Sequence, residues 1–300
     1  MTALAMPNRL ERLPIAEYAA DRLPGCPAPT LNSSLANRLL ERSEFHSWWR
    51  HPRLNDEYRQ EPPSNIMNLG SAAHLLLLEP ERMDDIVRVP YEDWRTGAAK
   101  ELRDRALADG KIPLLANDAD RAVLMAQRAD LALNLSPDLD GLGQTVSELT
   151  YWWRETRVSA DGVERDAFCR ARPDMVSQDG AILISYKTTG QIAEPAAYMK
   201  TLLNAGHDLQ AAFEISAVEA VERVRVSHYV WLVQETEEPY ACSLIGMSPA
   251  LRHLGMSRFD QAVMRWAEAS ATDYWPGYPS RIAYPEVPSW RLRELEEAEA

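Results

Sequence analysis

Asp174 and Lys187, two side chains of opposite charge, stand on either side of a turn signature at residues 178–180. The segments that flank the turn are extended in character, and their antiparallel pairing would bring Asp174 to the end of the second strand. There the side chains of Ser185 and Lys187 share one face and that of Tyr186 points to the other. A carboxylate suits Mg²⁺ and a lysine ammonium suits phosphate, so the pattern is compatible with a cation and phosphate site. A solvated surface ion pair is the alternative.

The residue types change near residue 144, from patterns typical of helices to patterns typical of strands. Residue types and turn signals predict strands over 145–158, 166–176, 181–184 continuing to 190, and 224–233. Helical spacing and stop signals predict helices starting near 35 and over 66–78, 97–109, 117–134, 205–222 and 248–270. The sequence therefore predicts an α/β fold with a central mixed β-sheet flanked by helices. We expect an N-terminal helical region (1–140), a core (141–275) and a C-terminal extension (276–300) that form one integrated domain.

Composition limits the class of protein. The chain of 300 residues carries 32 Lys and Arg against 45 Asp and Glu, a net charge of −13, which argues against a generally basic protein that coats nucleic acid but leaves room for a local basic site. Three scattered cysteines predict no disulfide framework and favour a cytoplasmic protein. No apolar run is long enough for a membrane span, so we expect no membrane partner. The glycine-rich motifs of nucleotide-binding loops and the G-x-S-x-G motif of serine hydrolases are absent.

Several short motifs occur in a fixed order along the chain. They are Gly70-Ser71-Ala72-Ala73-His74, Glu148 before Tyr151-Trp152-Trp153, Arg172-Pro173-Asp174, Lys187-Thr188-Thr189, the helix His207 to Phe213 with Gln210, and Tyr274-Trp275-Pro276 with Pro288-Ser289-Trp290. Together they resemble the RecE (exonuclease VIII) branch of the PD-(D/E)xK nuclease superfamily, which is related to lambda exonuclease. The resemblance covers most of the chain and implies a restriction-endonuclease-like core.

The resemblance also implies an activity and partners. Such a protein is expected to be a Mg²⁺-dependent 5′-to-3′ exonuclease, with Mn²⁺ as an alternative ion. It would digest one strand of linear double-stranded DNA from its ends and leave 3′ overhangs for phage or prophage recombination. The expected assembly is a ring-shaped homo-oligomer, a trimer or tetramer, which hands the remaining strand to a RecT-like single-strand annealing protein.

Residue roles follow from the same resemblance. His74 and Asp174 are expected to bind the metal, and Ser185 and the backbone carbonyl of Tyr186 are further candidate ligands. Lys187 would position or stabilise the attacking group, Glu148 would lie at the edge of the site, and Gln210 would fix the DNA backbone or Lys187. Without the resemblance, a histidine in this apolar helix is more typical of the core, and Glu148 could equally be a solvated strand residue.

The DNA is expected to meet the arginine-containing first 60 residues and the side of the sheet that carries Lys187. The candidate DNA-binding residues on that side are Arg170, Arg172, Thr188 and Thr189. Arg170 could also form a surface ion pair with Asp166 across two strands. The adjacent Trp48 and Trp49 suggest base stacking, although we expect at least one of the two in the core.

The chain departs from the family pattern at two positions. Ser185 stands where the family has an acidic metal ligand, and Glu214 stands where it has a tyrosine, four residues after Gln210. Because positions i and i+4 share a helix face, the missing carboxylate could have moved from the strand to Glu214. Alternatively, Glu214 faces solvent, or the protein is an inactive nuclease fold that binds DNA ends or a recombination partner.

Overall fold

The computed structural model describes residues 8–11, 13–59, 65–140, 142–159 and 161–299. The helices are α1 (Ile15–Ala19), α2 (Ser33–Glu41), α3 (Glu44–Trp49), α4 (Asn65–Leu78), α5 (Gly97–Ala108), α6 (Ala116–Asn134), α7 (Pro195–Asn204), α8 (His207–Glu222), α9 (Pro249–Thr272) and α10 (Ser289–Glu299). The strands are β1 (Asn8–Leu10), β2 (Thr30–Leu31), β3 (Ile86–Val89), β4 (Ile112–Leu115), β5 (Thr145–Ser147), β6 (Thr150–Val158), β7 (Glu164–Ala171), β8 (Met175–Ser177), β9 (Ile182–Thr189), β10 (His228–Glu235) and β11 (Cys242–Gly246).

A five-stranded mixed sheet in the order β11-β10-β9-β8-β5 forms the centre of the fold. The long strands β9 and β10 are parallel, whereas the pairs β8 with β9, β5 with β8 and β10 with β11 are antiparallel. Met175 pairs with Ile184, so the antiparallel pairing predicted from the turn at 178–180 is confirmed. The predicted α/β class with a mixed sheet is confirmed as well.

Alternating side chains of β9 and β10 divide the core between the two faces of this sheet. Leu183 and Trp231 pack on the side of α8, in a cluster that includes Phe213 and Phe259. Ile184, Tyr186 and Leu232 pack on the opposite side, in a cluster with Ala73 of α4 and Met125 of α6. The end of β9 is therefore held between α4 and α8.

A second sheet, of four strands in the order β1-β6-β7-β2, contains two strands that the sequence analysis did not predict. The N-terminal β1 pairs with β6, and β2 pairs with β7. Strands β3 and β4, in a region expected to be helical, form a small parallel pair. These strands have two to four residues, too few to produce a periodic pattern in the sequence.

Two predicted strands are each broken in the structure. The segment 145–158 divides into β5 and β6 at Glu148, whose φ of 56° lies in the left-handed region. The segment 166–176 divides into β7 and β8 around Arg172-Pro173-Asp174. Both breaks coincide with predicted site residues, and a backbone hydrogen bond of 3.1 Å from the Glu148 N–H to the Asp174 carbonyl joins them.

Helix α7 was absent from the predicted elements, although Pro195 begins it and the Glu194 side chain caps it. The other long predicted helices agree with α4, α5, α6, α8 and α9 to within a few residues. Among the described residues, no helix combines the length and hydropathy that crossing a bilayer requires.

Candidate active site

Helix α4 carries His74 against the end of β9. Gly70, one turn earlier, permits the close approach, because a Cβ atom at this position would lie 2.6 Å from the Thr188 Oγ1. The imidazole of His74 stacks on the Tyr186 ring, with 5.9 Å between centroids and 20° between planes. The Tyr186 hydroxyl in turn donates a hydrogen bond to the buried Gln234. His74 is therefore held at the edge of the sheet, with a third of its side chain exposed.

Asp174 lies in the bend before β8 and is fixed through one carboxylate oxygen. Its Oδ2 accepts hydrogen bonds from the backbone N–H of Tyr186 at 2.7 Å and from the Ser185 hydroxyl at 3.0 Å. The Lys187 Nζ lies 3.8 Å from the same oxygen. The other oxygen, Oδ1, faces His74, whose Nε2 is 3.2 Å away.

Glu148 repeats this arrangement from the break between β5 and β6. Its Oε2 is paired with the Arg172 guanidinium, and its Oε1 lies 3.6 Å from the His74 Nδ1. Arg172 also donates to the backbone carbonyl of Leu13 at 2.6 Å, which fixes the guanidinium in turn. Each carboxylate thus has one oxygen bonded to the protein and one directed at the imidazole.

The three side chains form a candidate cation site. One nitrogen of His74 and one oxygen from each of Glu148 and Asp174 lie within 4.8 Å of one another. His74 and Glu148 line a cleft of about 820 Å³, which is also lined by Lys187, Thr188 and the α4 residues around Gly70. Two carboxylates with an imidazole form a donor set that suits Mg²⁺ or Mn²⁺.

The pKa values in the cluster reflect this crowding of charge. Burial alone would raise the pKa of Asp174, but the adjacent Lys187 and His74 outweigh it and hold the pKa well below its usual range. Burial and the charge of Asp174 raise the pKa of Glu148, against the opposing effect of Arg172. Burial would lower the pKa of His74, yet the carboxylates of Asp174 and Glu148 raise it. Asp174 is therefore the most firmly ionised of the three, and a bound cation would replace the positive charge of the imidazole.

Glu214 on α8 lies on the opposite side of β9 from His74. Its carboxylate is buried, with 3% of the residue exposed, so the alternative in which it faces solvent is excluded. It accepts hydrogen bonds of 2.7 Å from the Gln210 amide and from the Tyr229 hydroxyl. Burial and the charge of Asp174 raise the pKa of Glu214 to about 7. The charge of Asp174 thus affects the pKa of Glu214, but Glu214 is not part of the three-residue cluster.

Gln210 and Ser185 each donate a hydrogen bond to a buried carboxylate. Gln210 donates to Glu214, and the structure gives it no hydrogen bond to Lys187 within the described residues. Ser185 is fully buried and uses its hydroxyl to hold Asp174. Tyr229, which the sequence analysis did not single out, bonds to Glu214 and lies next to Ser185 in the same buried polar group.

Arg170 is not placed at a DNA surface. The residue is buried, with 2% exposed, and its guanidinium donates to the Asp21 carboxylate at 2.8 Å and to the Thr30 carbonyl at 2.9 Å. The proposed pair with Asp166 is also wrong, because Asp166 bonds to Arg154 and Thr156 instead. Within β7 the Arg170 side chain points into the protein, and the N-terminal segment covers it.

The remaining candidate DNA-binding residues differ in whether their side chains are exposed to the cleft. Arg172 lines it, but its guanidinium is committed to Glu148 and only 7% of its side chain is exposed. Thr188 lines it opposite Gly70. Thr189 is buried, and its hydroxyl accepts a hydrogen bond from the Gln191 N–H at 3.0 Å, so it terminates the strand.

Two polar residues that support the site, Tyr229 and Gln234, were not predicted from the sequence. Both are buried in β10. Gln234 accepts from Tyr186 and donates to the backbone carbonyls of Met125 and Tyr240 at 3.0 and 3.2 Å. A glutamine at the end of an otherwise apolar strand was the available signal, since a buried amide must find several partners.

Comparison with solved structures gives a similarity in fold. No family model and no curated protein matches the chain. The crystal structure of a protein named "putative exonuclease" from Eubacterium rectale aligns with 94% of this chain and 98% of its own, at a TM-score of 0.54 and 8% identity. The two proteins share a fold. A second crystal structure, of SSO0001, aligns over 85% of this chain and 88% of that one at 12% identity, with a TM-score of 0.26 that is too low to carry an argument.

Proposed function

We propose that this protein is a metal-dependent exodeoxyribonuclease of the PD-(D/E)xK type. The observation that supports the proposal most strongly is the convergence of His74, Glu148 and Asp174 on one point beside Lys187. These side chains come from a helix, a strand break and a bend that are far apart in the sequence. The fold shared with the protein named "putative exonuclease" agrees with this function.

The donor atoms present fit a divalent cation. The Asp174 Oδ1, the Glu148 Oε1 and one nitrogen of His74 would hold it, because the other carboxylate oxygens are bonded to Ser185, Tyr186 and Arg172. The backbone carbonyl of Tyr186 and the Ser185 hydroxyl remain proposed further ligands. When bound, Mg²⁺ or Mn²⁺ supplies charge neutralisation at the scissile phosphate and lowers the pKa of a water molecule.

The protein's own residues would orient the substrate and stabilise charge. Lys187 presents an ammonium beside Asp174, on the cleft side, where it can bind a phosphate oxygen or position the attacking water. Thr188 lines the same cleft, and its proposed role is to contact the DNA backbone. Arg172 holds Glu148 in place, so we assign it a positioning role. Gln210 and Glu214 form a buried pair behind the strand, and their proposed part in catalysis is indirect.

For the substrate, we propose the ends of linear double-stranded DNA, digested from 5′ to 3′ to leave a 3′ overhang. This part of the proposal, like the RecE-like membership, is supported by the ordered motifs from Gly70 to Trp290. The same resemblance supports a ring-shaped trimer or tetramer in the cytoplasm that works with a RecT-like annealing protein in phage or prophage recombination.

Digestion of a 5′-phosphorylated linear duplex, labelled at either end, tests the proposal. We expect Mg²⁺- or Mn²⁺-dependent release of nucleotides from the 5′ end, no digestion of a closed circle, and a loss of at least a hundredfold in Asp174→Asn and Lys187→Met. Asp166→Asn, which changes a carboxylate outside the cleft, is the matched control and is expected to digest normally. Equal activity of Asp174→Asn and the wild type would overturn the proposal.

A second candidate function is favoured by Ser185. A neutral hydroxyl at this position leaves the site with fewer negative charges for a cation that gives up water reluctantly. The protein would then bind DNA ends or a recombination partner without cutting. Retained binding of duplex ends with no digestion at any Mg²⁺ or Mn²⁺ concentration would select this alternative.

A further inference from the structure

A second cleft, of about 670 Å³, lies between α2, α3 and the chain that follows α3. Its lining residues and those of the candidate active site have no member in common. The volume falls within the range of pockets that bind small organic ligands. We call it the α2–α3 cleft.

Positive charge is concentrated in the α2–α3 cleft of a chain whose net charge is −13. Four arginines line it, Arg38, Arg42, Arg50 and Arg59, and Glu57 is the one acidic residue among the described lining residues. Within the part of the chain that the structure describes, Arg38, Arg42 and Arg59 form no ion pair with a carboxylate, whereas most other arginines do. Several arginines that lack a carboxylate partner among the described residues and share one cleft are typical of a site for an anion.

The pKa of Arg38 reflects the crowding of positive charge in the α2–α3 cleft. Burial and the neighbouring Arg50 and Arg42 lower the pKa of Arg38, and the opposing effects of Tyr58 and Glu41 are smaller. Among the described residues, the Arg59 guanidinium donates to the backbone carbonyls of Asp56 and Tyr58, at 2.7 and 2.8 Å, and to no carboxylate. An anionic ligand would relieve the repulsion among these groups.

Aromatic rings lie beside these arginines. Phe45 stacks on Trp48 at 5.7 Å between centroids with 16° between planes, and Trp49 is 6.1 Å from Phe45. Trp49 is 47% exposed and Phe45 43%, while Trp48 is half-buried. The expectation that one of the two tryptophans belongs to the buried core is therefore wrong. Large rings left this exposed are available to stack on a ligand.

We propose that the α2–α3 cleft binds single-stranded nucleic acid, with bases stacked on Trp49 and Phe45 and phosphates on Arg38, Arg42 and Arg59. A groove of positive charge with interleaved aromatic rings is the combination that recognises unpaired strands without regard to sequence. Duplex DNA would satisfy the arginines but leave the rings unused, because its bases are already stacked. An acidic peptide would likewise lack the planar rings that match Trp49. The proposal goes beyond the nuclease function and does not depend on it.

Binding is measured by the anisotropy of a labelled oligothymidylate of about 15 nucleotides, in EDTA so that no digestion occurs. We expect Trp49→Ala to raise the Kd at least about fivefold. In the double variant Arg42→Gln with Arg59→Gln, we expect the fall of log K with log salt to become less steep. Its slope should decrease in magnitude by about 1.4, or about 0.7 for each phosphate that is no longer neutralised. Trp290→Ala and Arg281→Gln, an exposed tryptophan and arginine outside this cleft, are matched controls expected to bind as the wild type does.

A crosslinking experiment identifies the location, because the active-site cleft could also bind a strand. An oligonucleotide carrying 5-iodouracil is irradiated on the wild-type protein, and we expect adducts at Trp49, Phe45 or Tyr58. The proposal is overturned if adducts form only at the active-site cleft, if Trp49→Ala binds as tightly as the wild type, or if a polyglutamate peptide or a duplex competes as well as the single strand does.

Discussion

At the scale of single residues, the candidate site is organised by how each carboxylate divides its two oxygens. Asp174 and Glu148 each bond one oxygen to the protein and direct the other at His74. The groups that would bind a cation are thus already oriented before it arrives. This preorganisation reduces the entropy that ordering the ligands would otherwise cost on binding.

The neutral side chain of Ser185 limits the negative charge beside Asp174. Ser185→Asp places a second carboxylate beside the Asp174 Oδ2, now 3.0 Å from the Ser185 Oγ. In EDTA we expect the melting temperature to fall by several degrees, because two like charges would be buried together. Mg²⁺ should then raise the melting temperature by more than it does in the wild type. Ser185→Ala, which only removes a hydrogen bond, is the control, and an equal Mg²⁺ effect in all three proteins would contradict the prediction.

Glu214 predicts a pH dependence of stability. Its pKa of about 7 in the folded protein exceeds its usual value of 4.5. The cost of ionising it in the folded state is absent below pH 4.5, grows between 4.5 and 7, and is complete above 7. Glu214→Gln removes this cost, so its free energy of unfolding relative to the wild type should rise from pH 5 to pH 8, by up to about 3 kcal/mol.

Urea unfolding of Glu214→Gln in EDTA at the two pH values provides the measurement. Glu164→Gln, which changes an exposed carboxylate on β7, is the control and should show no such trend. A difference between Glu214→Gln and the wild type that is the same at pH 5 and pH 8 would show that Glu214 is ionised in the folded protein throughout.

At the scale of elements, the contact between α4 and β9 sets the position of His74. Gly70→Ala would place a Cβ atom 2.6 Å from the Thr188 Oγ1 and push the helix from the strand. We expect a loss of about 1–3 kcal/mol in the free energy of unfolding and weaker binding of Mn²⁺. Adding Thr188→Ala should restore much of both losses.

Gly97 provides the matched control for the helix contact. It begins α5, and nothing lies within 4 Å of where its Cβ would be, so Gly97→Ala should be neutral or stabilise by up to about 1 kcal/mol. If Gly70→Ala and Gly97→Ala had the same stability and Mn²⁺ affinity, the close approach of α4 would not matter.

The sequence predicted elements where a long periodic or apolar pattern existed. Helices α4, α6 and α8 and strand β9 follow from such patterns, and the turn at 178–180 predicted which strands pair. Short strands such as β1 and β2 could not be predicted, because their partners are more than a hundred residues away. The break at Glu148 was also hidden, since a left-handed glutamate is fixed by its tertiary contacts and not by residue type.

At the scale of the whole molecule, a buried ion cluster joins the N-terminal segment to the second sheet. Arg170 bonds to Asp21 and to Thr30 of β2, and His51 lies 3.4 Å from the same carboxylate. We expect Arg170→Met to lower the free energy of unfolding by about 3–5 kcal/mol, because it removes the nearest cationic partner of the buried Asp21 carboxylate. Binding of duplex DNA by the folded protein should not change.

Arg154→Met is the control for Arg170. Arg154 forms a partly exposed pair with Asp166, so its loss should cost less than about 1 kcal/mol. Urea unfolding and duplex binding are compared for the two variants. If Arg170→Met were as stable as Arg154→Met and had lost DNA binding, Arg170 would be a DNA contact and not a structural residue.

The site could be predicted from the sequence only in part. Asp174, Ser185 and Lys187 come together through one local hairpin, which alternation and a turn signal describe. The contribution of His74 depends on packing between distant elements and was reached only through the family resemblance. Arg170 and Arg172 looked equivalent, but β7 ends between them at Ala171, so strand alternation does not relate their side chains. Their partners therefore could not be predicted.

The proposed activity depends on a divalent cation held by His74, Glu148 and Asp174. Anomalous diffraction from crystals soaked in Mn²⁺ measures this directly. The predicted result is an anomalous peak in contact with the Asp174 Oδ1, the Glu148 Oε1 and a nitrogen of His74, with no ligand from Glu214, and no such peak in crystals of Asp174→Asn. An empty cluster at saturating Mn²⁺, or a peak coordinated by Glu214 in place of these residues, would show that these three side chains do not hold the cation.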